Sequence, residues 1–155
     1  MTPSPLSSMI DGGEKHTRLM KMKNSHTNEL RKNSALFWLT LTVPVGIIAI
    51  GINFIFNPVG ASSAYGIQID DPKSFPFMWI KGIRDIFSGL AILPFLLGGN
   101  RKTTTALFAI AVFIPFCDGL VILAHSSFAA APLLIHWGTG FYMMVVSYLL
   151  WRKTK

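Results

Sequence analysis

The sequence predicts an all-α integral membrane protein, a bundle of four transmembrane helices. Three observations carry that prediction. The 155 residues are 51% hydrophobic and only 14% charged, a balance too apolar for an ordinary soluble domain. Four apolar stretches, at about 34–56, 77–97, 103–124 and 132–151, each have the roughly 20 residues needed to cross a hydrocarbon core about 30 Å thick. Finally, eleven of the fourteen Lys and Arg lie in three segments that this topology collects on one side, as the positive-inside rule requires.

Residues 1–33 are polar and basic, with Lys15, Arg18, Lys21, Lys23, Arg31 and Lys32 outnumbering Asp11, Glu14 and Glu29. Such a composition reads as a disordered cytoplasmic arm. His16 and His26 have no companion at metal-ligand spacing and read as solvated tail residues. The first span, 34–56, is longer than the apolar core of a signal peptide, about 7–15 residues, and reads as a retained anchor. Pro44, Gly46 and Gly51 are tolerable in a membrane helix, where small residues permit close helix approach. Asn53 and Asn57 share a face near its far end, suited to capping, to an interhelical hydrogen bond or to lining a pocket.

Between Asn57 and Pro76, turn-forming residues (Pro58, Gly60, Ser62, Ser63, Gly66, Asp70, Asp71, Pro72) predict an irregular loop over the mouth of the bundle. Tyr65 and Phe75 would anchor it at the membrane interface. The second span, 77–97, ends in Gly98-Gly-Asn100, with Arg101 and Lys102 beyond. The third, 103–124, carries Pro115 before Asp118. A turn with His125, Ser126 and Ser127 follows, Pro132 opens the fourth span at its first turn, and 152–155 form a basic cytoplasmic tail. Both termini then lie in the cytoplasm of a multi-pass protein in a plasma or bacterial inner membrane.

The second span puts Lys81, Arg84 and Asp85 inside an apolar run, at a cost of about 2.5–3.5 kcal/mol for each charge at a helix centre. At roughly 100° per residue, Lys81, Arg84, Asp85 and Ser88 fall in an arc of about 100°, with Gly82 and Gly89 along its edge. Arg84 would lie roughly 10–12 Å below the outer end of its helix, Asp118 roughly 9 Å and His136 roughly 6 Å below theirs. Asn53 belongs to the same outer half. The four spans thus predict a polar, outward-opening cavity above an apolar plug. Lys81 and Asp85 have the spacing of a helical ion pair, and Arg84 has Asp118 as its natural partner on the next helix. His136 adds an imidazole to the same end, with Thr139, Gly140 and Met143 following on its face.

Composition and spacing also exclude functions. The net charge of +7 flanks apolar spans rather than interleaving with aromatics, so nucleic acid is not the partner; the bilayer is. Cys117 is the only cysteine, which removes intrachain disulfides, Cys-x-x-Cys redox centres and thiolate zinc sites, and it reads as a small filler beside Asp118. A metal on Asp85, Asp118 and His136 is opposed by Lys81 and Arg84. No cofactor is implied.

Tyr65-Gly66, Lys81-Gly-Ile-Arg-Asp85 with Gly89, Pro115-x-x-Asp118 and His136 resemble an uncharacterised family of small four-span membrane proteins from bacteria and fungi, known only as a domain of unknown function. The chain is also distantly similar to DoxX-type four-helix membrane proteins. The resemblance spans about Ala35 to Trp151 and implies a four-helix bundle without an assigned activity.

Two functional readings of the polar cluster follow. In one, Lys81, Arg84, Asp85, Asp118, His136 and Asn53 line a site for a small amphipathic or polar ligand. Asp85, Asp118 and His136 are then candidate acid–base groups and Arg84 an anion binder. In the other, the ion pairs are interhelical glue in a non-catalytic accessory or structural subunit. A small transporter, working as a homo-oligomer such as a dimer, is a third possibility.

Overall fold

The computed structural model describes residues 30, 32, 34–125 and 130–153. Most of the arm at 1–33, with His16 and His26, lies outside these residues, as do Ser126 and Ser127 and the last two residues of the tail. The described chain is an all-α helical bundle. Its elements are α1 (Ala35–Phe56), α2 (Pro58–Tyr65), a 3₁₀ turn (Pro72–Ser74), α3 (Phe75–Leu97), α4 (Arg101–Ala111), α5 (Phe113–His125) and α6 (Ala130–Arg152).

Local chemistry sets the boundaries. The Ser34 side chain caps α1 by accepting from the Phe37 N–H at 3.2 Å, which satisfies one of the orphan donors of a helix start. Asn57 ends α1 and begins α2, its side chain accepting from the Gly60 N–H at 3.2 Å. The carbonyls at the end of α2 are closed by Gly66, whose φ of 106° lets its own N–H reach Ser63 and the Ile67 N–H reach Ser62, both at 3.1 Å. This is the Schellman pattern that only a residue tolerant of positive φ makes cheaply. A short helix therefore stands where the turn-forming residues predict an irregular loop. Pro115 has no N–H to offer the Ala111 carbonyl, and the helix is interrupted at Val112 between α4 and α5.

Among the described residues three segments are long and apolar enough to cross a membrane: Ala35–Phe56, Arg101–His125 and Ala130–Arg152, with mean hydropathies of 2.2, 2.5 and 1.4. The 23-residue α3 matches them in length and is set apart by Lys81, Arg84 and Asp85.

The long helices pack as two antiparallel pairs, each held along a seam of glycine. In the first pair Gly51 faces Gly82 and Gly89 faces Pro44, so closely that a Cβ on Gly82 would stand 2.6 Å from the Gly51 carbonyl oxygen. In the second, Gly119 of α5 lies against the Trp137 indole and Gly140 of α6 against the Phe116 ring. Such contact is the small-residue packing expected of apolar helices that have no hydrophobic drive between them.

The two pairs meet over an apolar core at the end of the bundle where α1 begins and α6 ends. Leu36, Phe37, Ile92, Leu96, Phe108, Val146 and Leu150 are buried there. Leu30 joins them at 2% exposure, its N–H donating to the Gly99 carbonyl at 2.9 Å. The end of the basic arm is thus tied into the core. Toward the opposite end a cavity lies between the pairs, and most of the candidate site residues line it.

Candidate functional site

The polar face of α3 supplies the first contact. Lys81 Nζ donates to Asp85 Oδ2 at 2.6 Å, the two side chains being 15% and 5% exposed. The same ammonium lies over two aromatic faces, 4.6 Å from the Phe54 ring centroid and 4.7 Å from that of Tyr65. Ring quadrupoles attract a cation so placed. One carboxylate and two rings therefore surround Lys81, which is how a partly buried charge is tolerated.

Helix α2 delivers Tyr65 to this point. Gly66 packs on Pro132 of α6, pressing the end of α2 onto the second helix pair. The Tyr65 ring meets His136 edge-on at 4.7 Å, and its carbonyl oxygen is 3.2 Å from His136 Nε2. Because a carbonyl only accepts, Nε2 carries the proton. Asp118 of α5 lies near enough to act electrostatically on the phenol. Burial first, and then the Asp118 carboxylate, raise the Tyr65 phenol above its ordinary ionisation range, so it remains a neutral donor.

These groups form one end of a cavity of about 490 Å³ between the two helix pairs. Tyr65, Lys81, Asp85, Asp118 and His136 line that end, while Ile47, Ile50, Leu107, Ile110, Ile114 and Met143 line much of the remainder. Thr42 and Tyr142 close its lower end by a 3.0 Å hydrogen bond between α1 and α6, and the Tyr142 hydroxyl also donates to the Leu39 carbonyl at 2.8 Å. Ile50, Ile110 and Ile135 line the cavity yet are 51%, 69% and 60% exposed, so it opens sideways between the pairs. It is an apolar slot with a polar end.

A model of DUF4267, a domain of unknown function, matches residues 45–150. The chain belongs to that family. No curated protein and no solved structure matches it. The DUF4267 region contains every residue of the polar end, together with both glycine seams.

Within that region the structure brings together Lys81, Asp85, Asp118 and His136. It leaves out two residues expected with them. The Arg84 side chain is 61% exposed and has Nε 3.7 Å from Asp85 Oδ1; the expected Arg84–Asp118 pair is not formed. On a helix Arg84 is roughly 60° from Lys81 and roughly 100° from Asp85, and that offset carries it over the rim, so it does not line the cavity. Asn53 is exposed and contributes its backbone carbonyl to the Asn57 N–H at 2.8 Å, not a side chain to the cavity. Of the two asparagines, Asn57 is the one with a capping role.

Two further expectations change. Cys117 is exposed and fills no space beside Asp118, because successive helix positions point about 100° apart. Tyr65, expected at the interface, is instead a wall of the cavity. Phe54, Thr42 and Tyr142 were also missed, each contacting a partner too distant in sequence for spacing to reveal it. Among the described residues no group of three or more His, Cys, Asp or Glu is placed to hold a metal.

Proposed function

We propose that this protein is a four-span membrane protein whose cavity binds a small amphipathic molecule, head group at the Tyr65–Asp118–His136 end and apolar tail along the isoleucine walls. The observation that carries the reading is the cavity itself. Its volume of about 490 Å³ falls within the roughly 300–1,000 Å³ of small-molecule sites, which are mostly apolar with a few convergent polar groups. Its sideways opening suits a ligand that arrives from within a bilayer.

The same reading places both termini on the cytoplasmic side, supported by the cations of the arm, of Arg101-Lys102 and of the tail. The polar end then faces outward. Any acid–base chemistry falls to Asp118 and His136, since both oxygens of Asp85 face cations, Lys81 at 2.6 Å and Arg84 at 3.7 Å. The alternative reading, a structural or accessory subunit, is favoured by one observation: Lys81 is already paired with a carboxylate and two ring faces, as a packing device would be.

Native mass spectrometry of the full chain, extracted in mild detergent, separates the two. A co-purifying small molecule is expected on the parent and is expected to be lost from Gly46→Phe. Gly46 lines the cavity, and a Cβ there meets nothing within 4 Å, so the new ring enters open space. A parent that carries nothing and takes up no amphipath, yet melts far lower when Lys81 or Asp85 is replaced, supports the structural subunit.

A further inference from the structure

Charge at the polar end decides what kind of head group fits there. Its ionisable residues come from every element around it: Tyr65 from α2, Lys81 and Asp85 from α3, Asp118 from α5 and His136 from α6. One lysine thus faces two carboxylates. Lys81 is paired with Asp85 at 2.6 Å and lies under the Phe54 and Tyr65 rings, so its charge is already offset within the protein. Arg84, the other cation of α3, has its side chain mostly outside the cavity. His136 gives its Nε2 proton to the Tyr65 carbonyl.

Asp118 is different. It lines the cavity, and among the described residues the ion pairs bring no cation to it. A carboxylate in a low-dielectric slot is stabilised most by a positively charged donor.

We infer that the cavity selects lipophilic cations, amphipaths whose head is a protonated amine bound to Asp118, over anionic or neutral amphipaths of equal chain length. This rests on the binding reading above and fixes the sign of its ligand. Fatty-acid-like and phosphate-bearing molecules are placed at a disadvantage, because their heads would meet the unneutralised carboxylate.

The test compares three probes of one chain length, dodecylamine, dodecanoate and dodecanol, titrated against the full chain in detergent and read by native mass spectrometry. Dodecylamine is expected to bind one-to-one, at least tenfold tighter than dodecanoate. Asp118→Asn is expected to weaken the amine at least tenfold and to change dodecanol less than about twofold. Asp118→Glu keeps the charge and the preference, which guards against a variant that merely misfolds, and Arg84→Ala leaves the preference intact. Dodecanoate binding as tightly as the amine, or an amine affinity indifferent to Asp118→Asn, overturns the inference while the cavity reading stands, provided Gly46→Phe blocks the probes. Failure of all three probes to bind the parent, or equal binding to Gly46→Phe, overturns both.

Discussion

At Lys81 the spacing of the sequence and the geometry agree, because an i, i+4 pair is decided within one helix turn. Removing one member of such a poorly solvated pair strands the other. Lys81→Met and Asp85→Leu alone are each expected to cost about 3–5 kcal/mol, while the double replacement recovers most of the loss; chemical denaturation in detergent of the four proteins measures it. Arg84 shows where the wheel argument fails. An arc of roughly 100° is wide enough for its two edges to face different surroundings, and only the Lys81–Asp85 side meets the cavity. Tyr65 was illegible for another reason: its partner His136 is 71 positions away, and no local period encodes that contact. Its raised ionisation also has a testable sign. A phenol raised on folding supports the fold at pH values below its unfolded value of about 10 and withdraws that support as pH rises. The melting temperature is therefore expected to fall between about pH 9 and pH 11, by less in Tyr65→Phe than in the parent.

Among the elements, the long helices were readable and α2 was not. Hydrophobic length alone marks the long ones. In α2 the residues that signal a turn, Asn57, Pro58 and Gly66, are equally the residues that start and stop a helix, so the same letters spell either structure. The glycine seams can be tested side by side. Gly82→Ala puts a methyl against the Gly51 carbonyl and is expected to cost about 1–3 kcal/mol. At Gly138 a Cβ meets nothing within 4 Å, and Gly138→Ala is expected to leave stability unchanged or raise it by up to about 1 kcal/mol. Thermal melts of both variants decide. Leu30 behaves as part of the core. Removal of 1–33 deletes buried Leu30 and is expected to cost about 1.5–3 kcal/mol.

For the whole molecule, the proposed topology makes a prediction independent of any ligand. In a Cys117→Ala background, Lys73→Cys is expected to react with a membrane-impermeant maleimide on intact cells, and Lys102→Cys only after permeabilisation. The reverse pattern would invert the protein in its membrane and point the polar end inward. The overall fold was legible because burial in lipid leaves the backbone few choices, whereas the cavity depends on how far two helix pairs stand apart, a distance that no single segment records. That separation has a mechanical consequence. Each pair is locked along its own glycine seam, so, if the cavity binds as proposed, a bulkier guest would be accommodated by tilting one half against the other about the Thr42–Tyr142 hydrogen bond. Guests of different girth should then alter the angle between the halves while the spacing inside each half stays constant.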